Sequence, residues 1–156
     1  MAGSEDLWSS AYDLENRIFY RFSLLVGAHV RHFTKYHIKK HKLSTQNWLI
    51  LTVIGRFAPL APSELAEHTS VSRDKITRIL DQLVAQGMVS RKPDEADRRR
   101  VVLTLLSKGK RACEELELLA RRVDAEILGI LSASEKQKFF DFMTRIEKQA
   151  RVTLTE

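Results

Sequence analysis

The sequence predicts a mainly α-helical chain with one small β-hairpin, a winged helix-turn-helix flanked by long N- and C-terminal helices. Three observations carry that prediction. In SELAEHTSVSRDKITRILDQLVAQG (63–87), Leu65, Ala66, Val71, Ile76, Ile79, Leu80 and Leu83 recur at the spacing of two short packed helices. MVSRKPDEADRRRVVLTLLSKG (88–109) follows at once, with β-prone Val89 to Lys92 and Arg100 to Leu105 around the turn-forming Pro93, Asp94 and Glu95. Both chain ends have a helical period, and they carry more apolar side chains than so small a core can cover.

In order along the chain, Leu14, Ile18, Phe22, Leu25, Val26, His29, Val30 and Phe33 share one face of a helix predicted from Leu7 to about His41. Ser44 is placed to cap a second helix carrying Trp48, Leu49, Leu51, Val53 and Ile54. Asn47 there occupies the position where a capping box takes Glu or Gln. Residues 58–61 break that helix, and Pro62 opens a short third one, Ser63 to about His68, behind the weak cap Ala61. Ser72 caps a fourth that runs to about Gln86, where Gly87 ends it in a left-handed conformation. Two long helices finish the chain, Ser107 to Leu131 and Ser134 to about Val152, the last capped by Ser134. The expected organisation is one domain over 1–156, with a winged-helix region at 44–106 and helical dimerisation regions at 1–42 and 107–156.

Composition narrows the function classes. A chain of 156 residues with a net charge of +6 suits a polyanionic partner. The single cysteine, Cys113, excludes an internal disulfide framework and a Cys-based zinc finger, and its place in a helix suggests a structural thiol. The N-terminus is acidic without an apolar signal core, and no run approaches the roughly 20 apolar residues of a membrane span. The expectation is a soluble, cytoplasmic protein with no membrane association. There is no Gly-rich phosphate loop, nucleophile elbow or spaced acid–base set, so neither an enzyme nor a cofactor is expected.

Core spacing leaves Ser72, Arg73, Lys75, Thr77 and Arg78 on the exposed N-terminal half of the fourth helix. Arg and Lys reach guanine edges or phosphates, whereas Ser and Thr mostly anchor to the backbone of a duplex. Asp74 and Asp81 interrupt the positive field, which opposes an indiscriminate charge patch. In the hairpin, Arg91, Lys92, Arg98, Arg99 and Arg100 face Asp94, Glu95 and Asp97. Adjacent arginines repel, a polyanion relieves the repulsion, and Asp97 is expected to hold one guanidinium in a bidentate pair. A solvated face is the alternative for either element in isolation. A helix and a hairpin together match the grooves of double-stranded DNA.

At this point the residues carry a family resemblance. Ser63 through Gly109 resembles the MarR family of bacterial regulators, as does the second-helix opening LSTQNW at Leu43 to Trp48. DEADRRRVVLTLLSKG matches that family's Asp-Arg-Arg wing tip and Lys-Gly entry into the fifth helix. The resemblance implies a homodimer that sets two winged helices on a pseudo-palindromic operator, with repression as the default. It assigns Ser72, Arg73, Lys75, Thr77 and Arg78 to the recognition helix, and Arg98 and Arg99 to the wing tip with Asp97 as their structural partner. Two departures stand out: Asn47 replaces the usual Gln before Trp48, and Leu106 replaces a capping threonine whose role Ser107 would take.

Such regulators often bind aromatic acids, phenols or their coenzyme A thioesters. The basic stretch HVRHFTKYHIKKHK at His29 to Lys42 suits an anionic aromatic effector walled by Arg31, His32, Tyr36 and Trp48. A solvated basic face is the competing reading. His37 and His41, or His29 and His32, have helical spacings that suit a metal, but no acid or cysteine completes either set and the cations nearby oppose a dication. No metal is therefore assigned. The alternatives are a ligand-independent DNA-binding or architectural protein, and a metal-responsive repressor.

Overall fold

Cap chemistry and apolar period together set the element boundaries. The computed structural model describes residues 13–69, 71–94 and 96–153, without the side chains of residues 36–39. After a 3-10 turn at Leu14–Asn16 come α1 (Ile18–Lys40), α2 (Thr45–Phe57), α3 (Glu64–His68) and α4 (Arg73–Ala85). The strands β1 (Val89–Pro93) and β2 (Val101–Leu105) follow, then α5 (Ser107–Ile127), a 3-10 turn (Leu128–Ile130) and α6 (Ala133–Thr153). The fold class expected from the sequence is the one observed.

The first helix begins later than its periodicity suggested. Asp13 accepts both of its short bonds from the Asn16 side chain, at 3.0 and 2.9 Å, and Arg17 is extended. Short polar side chains bonding locally compete with helix, and here they hold a turn ahead of Ile18. Leu7, Trp8 and Tyr12 lie outside the described residues.

Ser44 caps α2 as expected, accepting the Asn47 N–H at 3.1 Å. Ahead of α3 the weak cap is replaced by Glu64, whose carboxylate accepts the Ala61 N–H, so the helix starts at Glu64 and not at Ser63. Ser72 precedes α4 but makes no side-chain cap bond. At the far end Gly87 takes φ 68°, its N–H bonds Val84, and the Met88 N–H bonds Leu83, each at 2.9 Å. That is the paired closure of a Schellman motif, with buried Leu83 and Met88 as its apolar contact.

The strands pair antiparallel from Val89↔Leu105 to Pro93↔Val101, so β2 starts one residue later than predicted and β1 includes Pro93. A proline fits there because β1 pairs with β2 alone and its outer edge has no ladder partner among the described residues. The hairpin base is tied to the α2–α3 connection by a Leu60↔Leu103 bridge, with Leu103 N donating to Leu60 O at 2.9 Å. At the start of α5, Gly109 passes so close to the Met88 carbonyl that a β-carbon would overlap it. The Lys108 ammonium donates to Gln86 O at 2.9 Å beside that crossing.

The chain divides into two compact units, residues 1–113 and 114–156. The first unit has its core in Phe33, Leu43, Ile50, Leu51, Ile54, Leu65, Leu80, Leu83 and Leu103, all buried. Its first 3-10 turn leaves Leu14 exposed, and its α1 leaves Ile18, Phe19, Leu24, Leu25 and Val26 exposed. In the second unit Leu116, Ala120 and Val123 form a buried stripe along α5, which passes into the 3-10 turn before the predicted end at Leu131.

The cap of α6 is Ser132, not Ser134. Ser132 Oγ accepts the Glu135 N–H at 3.3 Å, and Glu135 accepts the Ser132 N–H and hydroxyl at 2.8 and 2.7 Å. A carboxylate three residues on makes the stronger reciprocal box, because charge-assisted bonds outweigh those available from Gln137 behind Ser134. Phe139, Phe140, Phe142 and Ile146 of α6 are exposed. No helix of the described residues is long and apolar enough to cross a membrane.

Candidate nucleic-acid interface

Helix α4 buries Ile76, Ile79, Leu80 and Leu83, and helical geometry turns the intervening positions outward. Ser72, Arg73, Lys75, Thr77 and Arg78 are all exposed, as their spacing predicted. Thr77 donates its hydroxyl back to Arg73 O at 3.1 Å, which leaves the oxygen lone pairs facing out as acceptors. Asp74 lies among them and belongs to the same surface.

Between this face and the start of α2 lies a cavity of about 680 Å³, lined in part by Lys42, Gln46, Lys75, Arg78 and Gln82. Gln46 and Gln82 were not singled out from the sequence, and Lys42 only as part of the basic stretch His29 to Lys42. The available signal was the step of four from Arg78 to Gln82, which extends the exposed face by one turn. Asn47 also lines the cavity, and its side chain shows why the departure from Gln is tolerated. It bonds the Ser44 hydroxyl, is 6 % exposed, and donates from Nδ2 to Gln82 Oε1 at 3.0 Å. The cap of α2 is thereby linked to the outer face of α4.

At the wing tip, Asp94 N donates to Arg100 O at 2.7 Å and Arg100 N donates to Asp97 O at 2.9 Å. Asp94 also accepts the Ala96 N–H at 2.8 Å. Asp97 behaves differently from its predicted role. Its carboxylate accepts the backbone N–H of Arg99 at 3.0 Å, so it shapes the turn and pairs with no guanidinium among the described residues. A side-chain acceptor two residues upstream is the Asx-turn solution for such a tip, and it satisfies an N–H that the hairpin leaves open.

Arg100 also departs from expectation. Its Nη2 bonds both Glu64 oxygens, at 3.0 and 2.9 Å, which turns it back onto α3 and away from the tip. Glu64 is held below the usual carboxylate range by the Ala61 N–H first, against an opposing cost of desolvation, and then by the Arg100 hydrogen bond and charge. Arg98 and Arg99 remain exposed and make no ion pair among the described residues. Arg91 approaches Asp81 at 3.5 Å, which partly neutralises the base of the wing.

The predicted effector wall is only partly assembled. His29, Phe33 and Trp48 form a stack, with ring centroids 4.3 Å apart for His29–Phe33 and 5.3 Å for Phe33–Trp48. Arg31 and His32 are exposed on α1, while the Tyr36 and His37 side chains lie outside the described residues. Trp48 therefore spends ring area on the core residue Phe33. Cys113 is half-buried with Sγ 3.5 Å from Leu51 O, in keeping with a packing role. Among the described residues no group of three or more His, Cys, Asp or Glu is arranged to hold a metal ion.

Proteins of known structure share this architecture. Residues 41–100, which span α2 through the wing tip, match the MarR family model. The MarR/EmrR family transcriptional regulator from Acinetobacter sp. ADP1 superposes with a TM-score of 0.82 at 12% identity, covering 90% of this chain and 99% of that one. The PcaV transcriptional regulator from Streptomyces coelicolor, solved in complex with its natural ligand, gives 0.74 at 22% identity over 88% and 96% of the two chains. FabT from Streptococcus pneumoniae, solved in complex with DNA, gives 0.75 at 19% identity over 88% and 97%.

Proposed function

Residues 41–100 match the MarR family model, and from that premise we propose that the chain is a MarR-family repressor released from DNA by a small anionic aromatic ligand or its coenzyme A thioester. On that reading it is a DNA-binding transcriptional regulator. The finer reading has it bind a pseudo-palindromic operator as a homodimer. The observation that carries it is the pair of exposed cationic elements on one unit: Arg73, Lys75 and Arg78 on α4, and Arg98 and Arg99 on the wing. A helix of that character enters a major groove, and an arginine-tipped hairpin suits the neighbouring minor groove.

The exposed apolar side chains of α1 and α6 support a homodimer, because patches of this kind on a water-facing helix usually mark an interface. Two copies related by a two-fold axis would present two recognition helices, which is why a pseudo-palindrome is the expected site. The His29–Phe33–Trp48 stack beside exposed Arg31 and His32 supports an anionic aromatic effector, with PcaV as a similar fold solved with its ligand.

The test begins with selection of bound duplexes from fragmented genomic DNA, followed by anisotropy on the selected and random sequences. Tight, salt-dependent, sequence-selective binding is expected; equal affinity for both would overturn the operator reading. Titrating benzoates, hydroxycinnamates and their thioesters should lower operator affinity, since a ligand shifts this equilibrium only by preferring the non-binding state. Arg31→Ala should blunt that response without weakening ligand-free DNA binding. A normal response in Arg31→Ala would leave the basic end of α1 as a solvated face.

A further inference from the structure

On its β2 side the wing is held to the body of the first unit at two points, beside the longer Arg91–Asp81 approach of 3.5 Å on the β1 side, and the second of the two is made by an arginine that composition alone assigns to DNA. The inner point is the Leu103 N–H on Leu60 O at 2.9 Å, between two leucines that are themselves buried. The outer point is the Arg100 guanidinium on Glu64, three residues nearer the tip and 36 residues away in sequence. Two attachments, one within β2 and one at the residue before it, fix a direction, whereas one leaves a pivot. Arg100 is also the residue through which the tip closes, since its carbonyl accepts the Asp94 N–H and its N–H donates to Asp97 O.

Glu64 is suited to such a role because another bond orients it. Its carboxylate already accepts the Ala61 N–H at the start of α3, so little further freedom is lost when Arg100 arrives. Both partners are partly exposed, with side-chain exposures of 47% for Arg100 and 38% for Glu64. Pairs of that kind add little to global stability, so the consequence of this one lies in orientation. We propose that Glu64 and Arg100 form a wing-positioning clamp. It aims Arg98 and Arg99 at the duplex, and Glu64 withholds the Arg100 charge from phosphate neutralisation. Arg100 is then a positioning residue, unlike its two neighbours in the triple-arginine run. The inference rests on the DNA-binding reading and adds a division of labour within the wing.

The experiment compares wild type, Glu64→Gln, Arg100→Ala and the double variant on selected and random duplexes across a salt series. Gln retains an oxygen for the Ala61 N–H, so the start of α3 is preserved while the charge is removed. Each phosphate neutralised contributes about 0.9 to the slope of log affinity against log salt. Arg100→Ala should leave the slope unchanged and reduce discrimination severalfold. Glu64→Gln should steepen the slope by about 0.9, because the freed guanidinium joins the phosphates, and should reduce discrimination likewise. Amide exchange at Arg98 and Arg99 should quicken in both, with thermal midpoints close to wild type.

A slope that falls in Arg100→Ala would make Arg100 an ordinary phosphate anchor. So would a Glu64→Gln variant with an unaltered slope and discrimination, and either result overturns the clamp. A wild-type protein with no salt-dependent affinity for DNA would instead sink the DNA-binding reading, which the same titration reports separately.

Discussion

At the scale of single residues, side chains of one chemical type divide into different tasks according to what lies within reach. Arg73 and Arg78 are exposed on α4, so base-edge contacts are open to them. Alanine at either should cost about 1–3 kcal/mol on the selected sequence and much less on random DNA; equal losses, read by anisotropy, would make both phosphate anchors. Gly109 is constrained from the opposite direction. Alanine there gains about 1 kcal/mol of helix propensity, but its methyl meets the Met88 carbonyl, which already accepts the Leu106 N–H at 2.9 Å and belongs to the closure of α4. The backbone cannot yield cheaply, so Gly109→Ala should be destabilising by about 1–3 kcal/mol in denaturant titration. For Glu64 the sign of the pH effect follows from its lowered pKa, caused first by the Ala61 N–H. A depressed folded value contributes stability above the unfolded value and loses it as pH falls through the folded one. Wing order read by amide exchange should thus hold from neutrality down to the ordinary carboxylate range and decline only below it.

At the scale of elements, the ends of helices decide more than their middles. The α2 cap does two jobs, because Ser44 holds the Asn47 N–H while the Asn47 side chain reaches Gln82 on α4. Ser44→Ala should cost about 1 kcal/mol of stability. Asn47→Ala should in addition change sequence preference, since α4 loses a bond that steadies its outer face. Replacing Arg98 and Arg99 together should flatten the salt slope by about 0.9 for each phosphate that is no longer neutralised, which the same anisotropy series would register.

At the scale of the whole molecule, each unit exposes several large apolar side chains. Leu24, Leu25 and Val26 on α1, and Phe139, Phe140 and Phe142 on α6, are more than one-third exposed. Stable dimers usually bury at least about 1,200 Å², and side chains of this size are what such an interface requires. Sedimentation should find a dimer, and Phe139→Ser with Phe142→Ser should give monomer or aggregate. A stable monomer for the intact chain would remove the basis for a two-half-site operator.

What was legible in the sequence was whatever short-range chemistry dictates. The periodic burial of Ile76, Ile79, Leu80 and Leu83, the left-handed Gly87, the cap Ser44 and the exposed cations of α4 depend on residues within a turn or two of one another. The misses share a common cause. Ser134 and Ser132 are both plausible caps, and only the backbone path selects the one whose third neighbour is Glu135. The charge run 98–100 reads as three equivalent arginines until the fold brings Glu64, distant in sequence, against the third. Asp97 reads as a counter-ion until the turn brings the Arg99 N–H closer than any guanidinium. Local bonds are set by covalent spacing and can be derived from the sequence. Pairings across tens of residues depend on how the core packs, and only the tertiary structure decides them.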